Sequence, residues 1–374
     1  MAETDTAGNR IAPASRRSLS NGGRSDSYKP CILPVPAMPG KVSPDDLLAH
    51  VFERTETADE TVLQGPADGE DAAAIDWPDG EGTLVVSSDP ISLAASAVGT
   101  LGVYVASNDV AVSGADPRWL TAVVLLPSDA ETEGGADGPL LEVVANDLHA
   151  AAGEIGASIV GGHSEYVDQL ERPLLSLTAM GATDRFVPTG GAEPGDAVIL
   201  TKAAGLEGSA VLAADFGDDL GVDTETRERA ESFLDEISVA PEARLVRADA
   251  TAMHDPTEGG VAAGLLEVAR ASGVRLEVDR DAVPVREATA RLCDAAGVDP
   301  LRIFGSGALV ATVPGDAVDD RLEALSDAGI EAAKIGTVRE CEGDEPTLVL
   351  DGESIVEPIE DDLYPLWERA DGAD

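Results

Sequence analysis

The sequence predicts an α+β chain of two domains, and three observations carry that reading. Its 374 residues are enough for two ordinary cores. Its apolar runs switch repeatedly between a period of 2 and a period of 3.6. A stretch dense in glycine and proline, RFVPTGGAEPGD at 185–196, interrupts them midway. Residues 1–37 read as a disordered extension, 38–184 as the N-terminal domain and 185–374 as the C-terminal domain.

The elements follow in order. From Ser43, SPDDLLAHVFERT has a serine cap, a proline at the first helical position and apolar residues at helical spacing. GEDAAAIDWPDGEGTLVVSSDP gives two short strands around a Pro-Gly turn. Residues 96–114 form a helix, RWLTAVVLLP a buried strand, and LLEVVANDLHAAAGEIG a second helix. The strand ASIV ends at Gly161 and Gly162, and PLLSLTAMG closes the first half. Beyond the boundary, AVILTK opens the C-terminal domain, and GALVATVPGDAVDDRLEALSDAGIEAAKIGTV reads as strand, helix, strand.

Composition narrows the function. There are 71 Asp and Glu against 25 Lys and Arg, a net charge of −46 spread along the whole chain. Such a surface fits a salt-adapted protein, whose self-repulsion is screened at high ionic strength. Disorder is excluded, because 43% of residues are hydrophobic and fall in periodic runs. A basic face for nucleic acid or anionic membranes is excluded as well. The three cysteines, Cys31, Cys293 and Cys341, stand far apart without a CxxC pair, as in a reducing cytoplasm. No apolar run is long enough to span a bilayer. The first 37 residues carry +2 and the remainder −48. ASRRSLS lacks the apolar stretch an export signal needs, and Met38 offers an alternative start.

Acids recur beside apolar elements: Asp71 in GEDAAAI, Asp89 ending TLVVSSDP, Asp109 after Asn108, and Asp255 opening HDPTEGG. Each has a plain alternative. Asp89 before Pro90 makes a turn, and Asp255, Pro256 and Glu258 make a helix start. At Asp109 the small neighbours Ser107, Ala111, Ser113 and Gly114 suit a hydrated cation with its ligand, or equally a solvated helix edge. Gly161–Gly162 and Gly259–Gly260 permit close backbone approach, the second pair at a helix start where free N–H groups suit a phosphate. Four acids and two glycine pairs fit a polyphosphate such as ATP held through Mg²⁺, since direct contact between two anions is repulsive. The P-loop pattern is absent, and GSGALV fails the GxGxxG pattern.

GEDAAAI, SSDP, SNDVAVSGADPRW, IVGGHSE, VPTGGAEPGD, DPTEGGV and FGSGALV, collinear over about residues 38 to 350, resemble the aminoimidazole ribonucleotide synthetase (PurM-like) superfamily. The nearest likeness is to archaeal AIR synthase-related proteins similar to the hydrogenase maturation factor HypE. The resemblance implies a PurM-like two-domain fold. Its N-terminal α+β domain contributes strands to a β-barrel across a homodimer, and its C-terminal α/β domain has ferredoxin-like βαβ elements. ATP lies in the cleft between the domains. By motif, Asp71, Asp89 and Asp109 bind Mg²⁺ with Asn108 beside them, and Gly161, Gly162, Asp255, Thr257, Gly259 and Gly260 line the nucleotide site.

The implied activity is ATP-dependent phosphorylation of an amide or carbonyl oxygen, on a small molecule or on a protein-borne carboxamide. The chain departs from HypE in ending LYPLWERADGAD without a terminal cysteine. His163 stands where related enzymes carry an acid, either as a general acid or base or as a structural hydrogen-bonding group, and Glu165 offers the missing carboxylate. Lys41 is a candidate for the γ-phosphate or a helix-leader lysine. Two other readings are a non-catalytic nucleotide-binding partner in a maturation complex and phosphoribosylformylglycinamidine cyclo-ligase.

Overall fold

The computed structural model describes residues 61–64, 70, 72–76, 82–92, 97–128, 139–341 and 345–371. The helix expected from Ser43, the extension 1–37, and the site candidates Lys41 and Asp71 lie outside them.

The first half builds a six-stranded sheet from β1 (Val62–Gln64), β2 (Ala73–Asp76), β3 (Thr83–Ile91), β4 (Asp116–Pro127), β5 (Ser158–Val167) and β6 (Leu174–Thr183). Their order is β1-β2-β3-β6-β4-β5. All neighbours are antiparallel except β4 and β5, a parallel pair joined by the crossover helix α2 (Leu140–Ile155).

The expected β-barrel does not form. The sheet stays open, with β1 and β5 as its two edges and no pairing between them. Residues 158–166 of the β5 edge face solvent. Closure needs every edge to find a partner, and among the described residues these two edges have none on their outer sides.

β5 also differs from its expected length, because it runs through Gly161 and Gly162 instead of ending there. The ladder shifts register between Leu120 and Thr121, bringing β4 so close that a Cβ on Gly162 would overlap the Ala122 carbonyl oxygen. Here the glycine serves a strand-to-strand approach.

Helix α1 (Val98–Val112) packs on β3 and β6 and beside α2. All its residues except Thr100 and Val105 are buried. A helix buried all round needs small residues wherever a neighbour presses in. At Gly102 a Cβ would stand 2.7 Å from Leu177 Cδ1. The C-terminal end of α1, at Ala111 and Val112, enters a second core with Ile199, Val239 and Met253.

The second half builds a seven-stranded sheet from β7 (Ala197–Thr201), β8 (Ala252–His254), β9 (Arg275–Val278), β10 (Val310–Val313), β11 (Ala332–Arg339), β12 (Thr347–Leu350) and β13 (Glu353–Ile355). The order is β13-β12-β9-β11-β7-β10-β8. β10, helix α8 (Val318–Asp327) and β11 follow one another, but β7 lies antiparallel between the two strands. The strand-helix-strand run is thus a split βαβ unit. The remaining helices are α3 (Leu206–Leu220), α4 (Thr224–Glu231), α5 (Ala240–Val246), α6 (Gly260–Ser272), α7 (Glu287–Ala296) and α9 (Tyr364–Asp371). Cys293, 1% exposed on α7, has its thiol pushed up to about 12 by burial.

Candidate active site

Two acids singled out in the sequence meet through a serine. Alternation along β3 turns Ser87 inward, and its hydroxyl donates to Asp109 Oδ2 at 2.6 Å and lies 3.1 Å from Asp89 Oδ2. Ser87 and Asp109 are each only 8% exposed, while Asp89 is half-buried. A strand end and the last turn of a helix thereby set two carboxylates on one hydroxyl. Two such carboxylates are a common protein contribution to a Mg²⁺ site, the other ligands being waters and substrate phosphates. Among the described residues no three His, Cys, Asp or Glu side chains gather as a metal site, and Asp71 is not among those residues.

Asn108, adjacent to Asp109, is fully buried and engaged with backbone. Its Nδ2 donates to the Ile237 carbonyl at 3.0 Å, and its Oδ1 accepts from the Val239 N–H at 2.9 Å. The residue expected beside phosphates therefore ties α1 to the segment leading into α5. Nearby, Asp116 accepts from Arg244 Nε at 2.6 Å and from Arg247 at 3.1 Å. Partial burial pushes the Asp116 carboxyl up, but the hydrogen bonds and charges of the two arginines outweigh it and hold the group below its ordinary value.

Asp255 follows β8 and is 2% exposed. Thr257 turns the chain, its carbonyl accepting from Gly260 N at 3.1 Å and from Gly305 N at 2.9 Å. The DPTEGG and FGSG motifs are thus in contact.

Gly259 and Gly260 precede and open α6 with φ of 75° and 66°. Their N–H groups already have acceptors: Gly259 donates to Asp361 Oδ2 at 2.9 Å and Gly260 to Thr257. A Cβ on Gly260 would stand 2.6 Å from the Leu301 carbonyl. The pair therefore lets other backbone come close, and the helix start is capped by an acid from the C-terminal segment. Burial and the carboxylates of Glu258 and Glu207 push Asp361 up to about 7, against the pull of its two backbone donors, Leu363 and Gly259.

His163, Gly161 and Gly162 lie together on exposed β5. His163 Nε2 stands 3.6 Å from Glu165 Oε2, two residues on along the same face of the strand.

Two residues were not singled out in the sequence. Ser87 had a visible signal in SSDP. Lys202 directly follows the fully buried strand β7, is one of only four lysines, and has φ of 52°. Its ammonium donates to the carbonyls of Glu236, Ser238 and Gly307 at 2.7, 2.7 and 3.0 Å and pairs with Glu242 at 2.6 Å. Burial pushes Lys202 below its ordinary value, and Glu242 opposes this. The segment 236–239 is thus gripped by Asn108 on one side and Lys202 on the other.

The fold and site define a two-domain α+β protein carrying a serine-linked acid pair on a buried helix and a sheet. Residues 69–183 match the family model for the N-terminal domain of AIR synthase related proteins, and residues 193–349 match that for the C-terminal domain. The chain belongs to this AIR synthase-related family, in its PurM-like, HypE-like branch. It is 32% identical over 289 residues to carbamoyl dehydratase HypE of Rhizobium leguminosarum bv. viciae, covering 72% of this chain and 77% of that protein. It superposes on a chain of a HypE–HypF complex with TM-score 0.65 at 24% identity, covering 83% of this chain and 98% of the other. It also superposes on a hydrogenase maturation protein HypE in complex with ATP, with TM-score 0.63 at 23% identity, covering 86% and 96%.

Proposed function

We propose that the protein is a Mg²⁺-dependent, ATP-using enzyme that phosphorylates an amide or carbonyl oxygen of its acceptor. The observation that carries this is the Ser87 hydroxyl joining Asp89 and Asp109. Likeness in fold to a HypE in complex with ATP supports it. Asp89 and Asp109, with Asp71, hold Mg²⁺, which neutralises charge on the phosphate oxygens. Ser87 orients both described carboxylates, and burial of Asp109 excludes competing water. Asp255 and Thr257 line the nucleotide, and Lys41, outside the described residues, is the candidate partner of its terminal phosphate. In the transfer, the bond from the γ-phosphorus to the ADP oxygen breaks as the acceptor oxygen bonds to phosphorus. His163, steadied by Glu165, takes or returns a proton at the acceptor.

The working form is a homodimer in a high-salt cytoplasm. The exposed apolar side chains of Ile159, Val160 and Tyr166 on β5 support association, since a bare strand edge of this kind invites pairing. Isothermal titration in concentrated KCl should show ATP binding that needs Mg²⁺ and weakens at least about tenfold in Asp109→Ala. Unchanged binding in that variant would remove the metal assignment.

A further inference from the structure

Away from the acid pair, the C-terminal half has a cavity of about 530 Å³ beside α4 and α7. A second, of about 550 Å³, adjoins it and shares Lys202, Arg286, Ile330 and Glu331. Lys202 lines both, but neither Asp89 nor Asp109 lines either one.

The first cavity's wall alternates in charge. Arg229 reaches Glu236 at 3.6 Å, Arg286 forks onto both Glu236 oxygens at 2.8 and 2.6 Å, and Glu331 stands 3.9 Å from Arg286. The guanidinium carbons of Arg229 and Arg286 lie 4.9 and 4.8 Å over the ring of Phe233, which is itself fully buried. Such stacking fixes the guanidinium planes.

Several of these charges already have close partners. The Arg286 fork answers Glu236 and draws its carboxyl below the ordinary value. Lys202 is held by Glu242, and Glu287 by Arg291 at 2.6 Å. Arg229, 57% exposed, and Glu331, 75% exposed, have their nearest opposite charges at 3.6 and 3.9 Å. They present a cation and an anion to whatever enters. The adjoining cavity is walled by Pro284, Val285, Leu322 and Ile330, which are apolar.

The chain's net charge of −46 disfavours a free anion, whereas a molecule with no net charge approaches without that penalty. A guanidinium donates two parallel hydrogen bonds to a carboxylate, and an exposed carboxylate accepts from an ammonium.

We propose that these adjoining cavities bind a small zwitterion of the amino-acid type, with its carboxylate on Arg229, its ammonium on Glu331 and an apolar body against Val285, Leu322 and Ile330. This does not rest on the ATP reading, because no residue of the acid pair takes part.

Calorimetry in concentrated KCl with leucine, phenylalanine and 6-aminohexanoate tests it, since the two α-amino acids share one short charge separation with different apolar bodies and 6-aminohexanoate sets the charges farther apart. Saturable binding of at least one is expected. Arg229→Gln and Glu331→Gln should each weaken it about tenfold or more. The N-acetyl and amide derivatives, each lacking one charge, should bind correspondingly worse. Both side chains are largely exposed, so the variants keep the fold, and an unchanged denaturation midpoint checks this. Absence of binding by all three zwitterions, or binding indifferent to both variants, overturns the proposal. Titration of ATP on the same variants reports separately on the acid pair.

Discussion

Helix α1 and strand β5 carry similar-looking motifs, SNDVAVSGADPRW and IVGGHSE, yet the chain uses them in opposite ways. Nearly every residue of α1 is buried, and Asn108 and Asp109 are held by named partners in both halves of the molecule. β5 is an edge strand exposed from Ser158 to Tyr166, and its histidine meets Glu165 at the long distance of 3.6 Å. On a buried element a polar residue must be paired, so its identity bears on stability. On an exposed edge the same residue types are free of that demand, and what they do there is chemistry or association.

The contrast breaks most sharply at Asn108. Asn108→Ala leaves the Ile237 carbonyl and the Val239 N–H without their partner, and should destabilise the protein by about 2–4 kcal/mol. Chemical denaturation in high salt measures this. A loss below about half a kcal/mol, ordinary for a surface change, would mean that α1 does not join the two halves.

A smaller effect separates the β5 glycines. Gly162→Ala drives a Cβ into the Ala122 carbonyl and should cost about 1–3 kcal/mol. Gly161→Ala meets nothing nearer than Thr121 Cγ2 at 3.8 Å and should stay within about half a kcal/mol. Equal effects from the two would show that β5 does not run alongside β4 as described.

Two pH effects distinguish a group that faces arginines from a group that faces acids. Asp116 has its folded value depressed, so its contribution is present above the usual carboxylate range and is lost as pH falls through the folded value. Asp361 is raised to about 7, so its contribution is present in acid and lost as pH rises from the ordinary range through about 7. In denaturation profiles, Asp116→Asn should remove stability at neutral pH and little in acid. Asp361→Asn should narrow the gap between the wild-type protein's acid and neutral stability. Opposite slopes would overturn the environments assigned to them.

The smallest structural effect is expected at His163. His163→Ala should shift stability by less than about half a kcal/mol, because the side chain is 67% exposed. Its turnover should nevertheless fall if the residue handles a proton. A variant unstable yet fully active would invert the comparison between α1 and β5.

Much of this was legible from residue order. The strand TLVVSSDP, the helix around Asn108 and Asp109 and the strand-helix-strand run over 310–339 all follow from side-chain periodicity, which is a local property of the chain. Asp89 and Asp109 stood out because a carboxylate beside an apolar run calls for a partner. SSDP showed Ser87, but its contact with Asp109 and the employment of Asn108 by Ile237 and Val239 could not be read, because they join residues far apart in sequence. What approaches the glycine pairs could not be read for the same reason. A glycine signals that something comes close, and at Gly162 and Gly260 that something is the protein's own backbone.

By itself, then, the sequence determined the types of element, the acidic surface and the family, since periodicity, composition and collinear motifs are all written along one dimension. Tertiary structure alone decided that the first sheet stays open, which backbone groups Asn108 joins, and that Arg229, Arg286 and Glu331 share one wall. Those outcomes depend on which distant surfaces fit together, and packing between remote segments leaves no local pattern to read.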